Sequence, residues 1–391
     1  MQYDFVLAGG GMAGLSLACA LVTGPYPNAS ILIVDPETKG ENDRTWSFWT
    51  NNEVPFTTIP DPNEIISASW PQCRVVSHGW DRTIDMGEYR YCMIRGADFY
   101  DKVLSILESA PGVVFERAMV ESIRDEDDGA VIVTDRGERS GRWVFDSRFD
   151  PAEYERRSGP HHYLKQHFTG WTIETSRPVF DPATASLFDF RTPQHGEMRF
   201  IYVLPFSPSR ALVEYTLFSA EVLEREEYAQ AIERYLSDVL EVEPAEYRVI
   251  DRESGLIPMT DEPVERREGR HVLAIGTRGG TVKPSTGYAF YRTQCDTAAI
   301  VDSLVRTGHP FDIPRPSRMR ALDTMLLQVM YRQGELSERV FTDLFRKNPL
   351  DRLLRFLDER TTLPETLAVM ASVPLFPFIR ALVRTQILGK V

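Results

Sequence analysis

The sequence predicts an α/β protein in which a Rossmann-type nucleotide-binding domain is interleaved with a mostly antiparallel β-sheet domain and followed by a helical C-terminal part. Two features point there. The stretch "YDFVLAGGGMAG" places a glycine turn between an apolar run and an Ala- and Leu-rich segment, and "ASILIVDP" follows as a second β-branched run, the order of a β-α-β unit. Far downstream, "RHVLAIGTRGGTVKPSTGYAF" repeats strand, glycine turn and helix, as if the chain returned to the same sheet after a long excursion.

Taken in order, residues 3 to 8 are the first strand, "LSLACALV" has helical composition, and the second strand ends at Asp35. The loop "DRTWSFW" from 43 to 49 then combines an ion pair with aromatics. In "ADFYDKVLSILESA", Phe99, Val103, Leu104 and Leu107 fall near helical spacing, and "GVVFER", "GAVIVTD" and "GRWVFDSR" read as strands, the last returning to the nucleotide sheet. From about 150 to 270 the texture changes to long strands with polar turns. "MRFIYVLPFSPSRALVEYTLFS" is two strands about the turn "FSPSR". Beyond about 289 the chain reads as helices. The expected division is 1–150 for the nucleotide domain, with strands inserted around 50–95 as candidates for the second domain. The β-rich substrate domain follows at 151–270, the return at 271–300, and a helical, candidate membrane-contacting part at 301–391.

Gly9, Gly11 and Gly14 satisfy G-x-G-x-x-G, and Asp35 stands 21 residues after Gly14 at a strand end, where a carboxylate can bind a ribose hydroxyl. The glycines let a pyrophosphate approach the helix N-terminus, whose free N–H groups and dipole favour an anion. These residues do not decide between NAD and FAD. A motif at the extreme N-terminus, followed by a β-rich insertion and a second glycine turn near 276 to 287, fits FAD better. In this the chain resembles the flavoprotein superfamily of aromatic hydroxylases and geranylgeranyl reductases. It departs from those hydroxylases at Gly276-Thr277, where they usually carry Gly-Asp, so the ribityl contact of that Asp must be made otherwise or is absent.

Composition narrows the classes. With 42% hydrophobic and 26% charged residues the chain is ordinarily globular, and its formal charge of −13, without clustered Lys and Arg, argues against nucleic-acid binding. Cys19, Cys73, Cys92 and Cys295 are too scattered for a zinc site or a disulfide scaffold, which suits a reducing cytosol. His161, His162 and His167 lack metal-ligand spacing, so no metal is expected. The N-terminus carries no basic leader, and no apolar run reaches the roughly 18 residues of a spanning helix.

The motifs "DRTWSFW", "YCMIRGADFY", "LPFSPSRALVEYTLFS" and "IGTRGGTVKPSTGY" occur in the order found in bacterial lycopene beta-cyclases, and the resemblance runs on to "LRFLDERTTLPETLAVMASVPLFPF". It implies FAD that is active when reduced, NAD(P)H as reductant, and lycopene or other carotenoids as substrate. It also implies an isomerase reaction closing beta-ionone rings without net electron transfer, lycopene to gamma-carotene to beta-carotene. Proton addition, attack of a neighbouring double bond on the cation and proton loss require an acid, a cation stabiliser and a base. The alternatives are a FAD-dependent isoprenoid reductase or monooxygenase on the same fold, or a non-catalytic carotenoid- or flavin-binding protein.

Glu214, on a strand face with Leu212, Thr216 and Phe218, matches the glutamate of the cyclases' acidic strand and is the first candidate for the acid; residue pattern alone favours a solvent-facing edge glutamate. Asp43 is the second catalytic candidate. Arg44 is placed near the flavin or its phosphates, with Trp46, Phe48, Trp49 and Tyr288 against substrate or flavin; the plainer reading of Asp43-Arg44 is a surface ion pair. Gly276, Gly279, Gly280, Thr286 and Gly287 would face the flavin ring with backbone N–H groups, and Arg95 either binds FAD or caps a helix. Lys283 adds to that field or is a solvated loop lysine. Leu375, Phe376, Phe378 and Ile379 beside Arg380, Arg384 and Lys390 suit docking on anionic lipid at the cytoplasmic face of a membrane, or a helix packed on the core.

Overall fold

A computed structural model of the chain describes residues 2–40, 42–51, 59, 62–156, 159, 161–314 and 319–384. Among these residues the strands form three sheets. The first has Gln2–Ala8 at its centre, parallel to Ile31–Val34 on one side and to Gly137–Asp146 on the other. Val113–Glu116 extends it beyond Ile31–Val34, and Val272–Ala274 pairs in parallel with Gly137–Asp146. Gly129–Thr134 and Val120–Glu126 close it as antiparallel strands. All four residues of Ile31–Val34 are buried, as expected for a parallel strand covered on both faces.

Helix Met12–Thr23 is buried nearly throughout, whereas Gly96–Ser109 buries one stripe, Phe99, Tyr100, Val103 and Leu107. Helix Phe290–Thr307 lies on the first of these and completes that layer through Phe290, Ile300 and Leu304.

The second sheet runs Tyr247–Thr260, Tyr163–Thr175, Arg210–Ser219, Met198–Ser207, Thr184–Asp189, Gln72–Ser77, Trp80–Asp85, and is antiparallel except where Thr184–Asp189 meets Gln72–Ser77. Helices Arg320–Arg332, Leu336–Lys347 and Leu350–Leu357 share an apolar core with one of its faces, including Phe188, Phe200, Leu212, Leu327, Phe341 and Leu354. Helix Arg225–Asp238 covers the other with Tyr228, Ile232, Tyr235 and Leu236. The third sheet, Thr45–Thr50, Arg90–Arg95 and Ala68–Trp70, bridges the two larger ones.

One expectation is corrected here. The "DRTWSFW" stretch is largely a strand, because Thr45–Thr50 pairs in register with Arg90–Arg95 and its alternating side chains serve two cores. Trp46 and Phe48 pack with Phe99 and Phe290, and Trp49 joins the core of the second sheet.

Candidate functional site

The first glycine turn is built as a cradle. Gly11 is the N-cap of helix Met12–Thr23, no side chain caps that helix, and the space beside Gly11 is open, so the first-turn N–H groups are available to an anion. A side chain at Gly14 would collide with the Gly9 carbonyl oxygen, which explains the small residue there. Asp35 closes the second strand and accepts the Gly10 N–H (2.7 Å) and the Glu37 N–H (2.9 Å), with Lys39 at 3.3 Å. The second glycine turn sits against this cradle: a side chain at Gly276 would fall 2.9 Å from Ala13 Cβ. Gly276, Gly280 and Gly287 all have positive φ, and Gly279 packs on the Ala274 carbonyl.

Around the second turn the structure leaves buried polar atoms without partners, Thr286 Oγ1 and Gln166 Oε1, and a side chain at Gly287 would strike that same Gln166 oxygen. Orphaned buried polar atoms are what a polar ligand satisfies. The two turns together therefore offer free N–H groups at Gly9 to Gly14 and unsatisfied polar atoms at Thr286 and Gln166, features that fit a dinucleotide.

Lys283, expected either to add to the flavin field or to be a solvated loop lysine, is 5% exposed and lies 3.0 Å from both Asp323 and Glu359; Arg292 reaches Glu359 at 2.7 Å, and Ser285 donates to Asp323. The solvated-loop reading fails because the turn is clamped between helix Arg320–Arg332 and the end of Leu350–Leu357.

The acid candidate sits in the second sheet. Glu214 pairs across strands with Tyr202 on one side and Gly170 on the other, and Gly170 pairs in turn with Glu253. Thr216 donates to Glu214 Oε1 (2.7 Å), and Thr45, from the "DRTWSFW" strand, donates to Glu253 Oε2 (2.6 Å). Glu214 as a residue keeps some surface, but its carboxyl is enclosed; burial, then the neighbouring Glu253, push its pKa well above the usual carboxylate range.

Three phenols border Glu214. Tyr91 Oη and Tyr288 Oη are 3.4 Å apart, and Tyr288 also bonds Tyr202. Burial raises all three, so they stay neutral and present aromatic surface close enough to feel the Glu214 charge. Trp49 packs edge-on against Tyr288 (4.6 Å between centroids) and donates its indole N–H to Asp358 (2.9 Å), whose carboxyl burial raises to about 6.

The remaining candidates are placed differently. Asp43 and Arg44 pair at 3.0 Å with Arg44 largely exposed, and Asp43 accepts from Tyr100, so it is Thr45 that reaches the carboxyl pair. Arg95 precedes helix Gly96–Ser109 and holds Asp98 through two hydrogen bonds of 2.8 and 2.6 Å. His162 is buried between Asp261 and Gln328, and His167 between Tyr228 and Ser219 with its pKa pushed down to about 4 by burial. Among the described residues, no cluster of three or more His, Cys, Asp or Glu side chains is placed to hold a metal.

Glu253, Thr45, Tyr91, Tyr202 and Gly170 escaped the sequence reading. Glu253 lies in the polar run "YRVIDRESG" with no alternation to mark it. For Tyr91 and Tyr202 the only signal was their place in motifs already singled out.

The chain is 27% identical to a lycopene beta-cyclase of a Paracoccus strain, over 96% of this chain and 95% of that one. It is 22% identical to a lycopene beta-cyclase of Pantoea ananas, over 97% of each. Among solved structures it superposes on a geranylgeranyl bacteriochlorophyll reductase-like protein of Thermoplasma acidophilum with a TM-score of 0.61 at 15% identity, covering 99% of both chains. It superposes on a p-nitrophenol 4-monooxygenase of Pseudomonas putida with a TM-score of 0.59 at 14% identity, covering 100% of this chain and 98% of that one. At such identities these two likenesses speak for the fold alone. The family model described as "Lycopene cyclase protein" matches residues 4–383, nearly the whole chain, and on that match the protein belongs to the lycopene cyclase family.

Proposed function

We propose that the protein is a lycopene beta-cyclase that closes the ends of lycopene into beta-ionone rings, through gamma-carotene to beta-carotene, as a redox-neutral isomerase. The observation that carries this reading is the enclosed Glu214 carboxyl, whose pKa burial and the neighbouring Glu253 push well above the usual carboxylate range, bordered by Tyr91, Tyr202 and Tyr288. Glu214 gives its proton to the terminal double bond, a neighbouring double bond attacks the cation, and a ring proton leaves. The phenol faces and the carboxylate formed on Glu214 stabilise the positive charge as it develops. An apolar polyene offers no hydrogen bonds, so shape must hold it, and Trp49 and Tyr288 are assigned to that wall.

FAD is the proposed cofactor, held by Gly9, Gly11, Gly14 and Asp35 at its phosphates and ribose. Gly276, Gly279, Gly280, Thr286 and Gly287 would meet its ring, with Arg44 and Arg95 as further contacts. When bound and reduced, with NAD(P)H as the proposed reductant, FAD would supply negative charge to offset the cation. Substrate reaches the site from lipid. Leu375, Phe376 and Ile379 are exposed at 53, 77 and 55%, with Leu363 and Leu367 also out in solvent, and Arg380 borders them. No single helix among the described residues is long and apolar enough to cross a membrane. Leu363–Met370 and Leu375–Leu382 would pass only as a pair, and that pair is bent by 113°. These short apolar helices suit docking on one face of a bilayer, proposed as the cytoplasmic one; Lys390 lies outside the described residues.

The test is an anaerobic incubation with lycopene in liposomes, with oxidised or chemically reduced FAD, followed by chromatography. Ring-closed product of unchanged mass, formed only with reduced flavin and over many turnovers, supports the reading. Consumption of NAD(P)H in proportion to product would replace it with an isoprenoid reductase or, with oxygen uptake in air, a monooxygenase.

A further inference from the structure

Glu214 has a carboxyl partner. The strands Arg210–Ser219, Tyr163–Thr175 and Tyr247–Thr260 lie side by side in register, and the row that contains Glu214 contains Gly170 and then Glu253. Residues directly opposite one another across strands project to the same face, so two glutamates flank a position with no side chain. A Cβ built on Gly170 would lie 3.4 Å from Glu214 Cβ, 3.2 Å from Glu253 Cγ and 2.9 Å from Leu212 Cδ1. Both glutamates lean over the glycine, and any larger residue would stand between them.

Glu253 is fixed from the opposite side. The Thr45 hydroxyl donates to its Oε2, while its Oε1 is buried with no well-formed hydrogen bond. A buried carboxylate oxygen without a donor is costly, and a neighbouring carboxylic acid is the donor that removes the cost. Among the described residues, the groups that act on the pair are Thr216 and the phenols of Tyr91, Tyr202 and Tyr288 at Glu214, and Thr45 and the acidic Asp251 at Glu253. None of these supplies a cation that would let both carboxyls ionise.

We propose that Glu253 is a positioning residue that shares one proton with Glu214 across Gly170, so that the site rests with one acid and one carboxylate. Glu253 carries the charge and Glu214 the proton. The resting charge disfavours ionisation of Glu214 until a substrate cation appears to offset it, and it places a second negative group near that cation. No electron moves: Glu214 loses its O–H proton to carbon, the ring C–H proton leaves to a base, and the pair regains one proton from solvent. This deepens the cyclase reading and rests on it for its catalytic meaning, but the pairing itself can be measured without turnover.

The experiment is infrared titration of the full-length protein, following the carbonyl band of protonated carboxylic acid that Glu214→Gln removes. Glu253→Gln takes away the neighbouring charge, so Glu214 should ionise more easily and the midpoint of that band should fall by about one pH unit or more, a tenfold change in the protonation constant. Glu253→Asp, which keeps the charge, should restore most of the wild-type midpoint. Gly170→Ala should act like Glu253→Gln in direction and more weakly. In the cyclase assay the alkaline limb of kcat should move down by the same interval. A midpoint unmoved in Glu253→Gln, or moved equally in Glu253→Asp, overturns the proposal. Failure to cyclise lycopene with the infrared shift intact overturns the cyclase reading and leaves the pair standing. Cyclisation with an unmoved midpoint does the reverse.

Discussion

The glycine cradle and the carboxyl pair treat charge in opposite ways. At Gly9 to Gly14 an uncapped helix start gathers free N–H groups beside open space, with the nearest acid, Asp35, held aside by the Gly10 and Glu37 amides. That surface invites an anion. At Glu214 and Glu253 two carboxyls are enclosed together, and burial and their closeness to one another disfavour negative charge. On the proposed reading, one region binds charge that arrives, and the other releases a proton only when positive charge has somewhere to form. A cofactor site needs only the first property, and proton-initiated chemistry needs the second.

Substitutions can break this contrast from either side. The largest effect is expected for Glu214→Gln, which removes the proton donor while keeping the shape. Turnover should fall about a thousand-fold or more while flavin absorbance of the purified protein is unchanged. Wild-type turnover should also fall as pH rises, because a raised pKa keeps Glu214 protonated, and active, only below it. Next is Gly14→Ala. Its methyl group would collide with the Gly9 carbonyl oxygen, a packing clash worth about 1–3 kcal/mol, so bound flavin should drop roughly 10- to 100-fold by equilibrium dialysis. If the cradle is not the phosphate site, flavin content will hold and only the melting temperature will fall.

The smallest effect sharpens the comparison. Thr45→Val removes one hydrogen bond from Glu253 and keeps the volume, costing about 1 kcal/mol of stability in thermal unfolding and moving the alkaline limb of activity upward. The sign follows from the loss of a donor to the Glu253 carboxylate, which makes that charge harder to hold and the proton of the pair harder to lose. An alkaline limb that stays in place would detach the "DRTWSFW" strand from the acid centre.

Much of the cradle was legible because its parts are neighbours in the chain. The spacing Gly9, Gly11, Gly14 and the strand ending at Asp35 are local patterns, and the strand-turn-helix order around them is set by apolar runs and glycine. Of the carboxyl pair, one residue, Glu214, was singled out in the sequence, through the resemblance of the motif around it. Its partner Glu253 is remote in sequence and joins it only because Tyr163–Thr175 runs between the two strands in a particular register, so that Gly170 falls in their row. A slip of one residue would turn one of the glutamates to the opposite face.

Lys283 teaches the same point: a lysine in a glycine- and proline-rich turn reads as solvated, until Asp323 and Glu359, from distant helical segments, enclose it. The sequence alone determined the fold class and the glycine spacing of the cradle, since these depend on periodicity and spacing along one segment, while Glu214 was singled out through the resemblance of its motif. Which carboxyl, hydroxyl and phenols surround that acid was decided only by tertiary structure. Long-range strand pairing and helix docking choose neighbours, and burial, which sets where a proton resides, belongs to the neighbours and not to the residue.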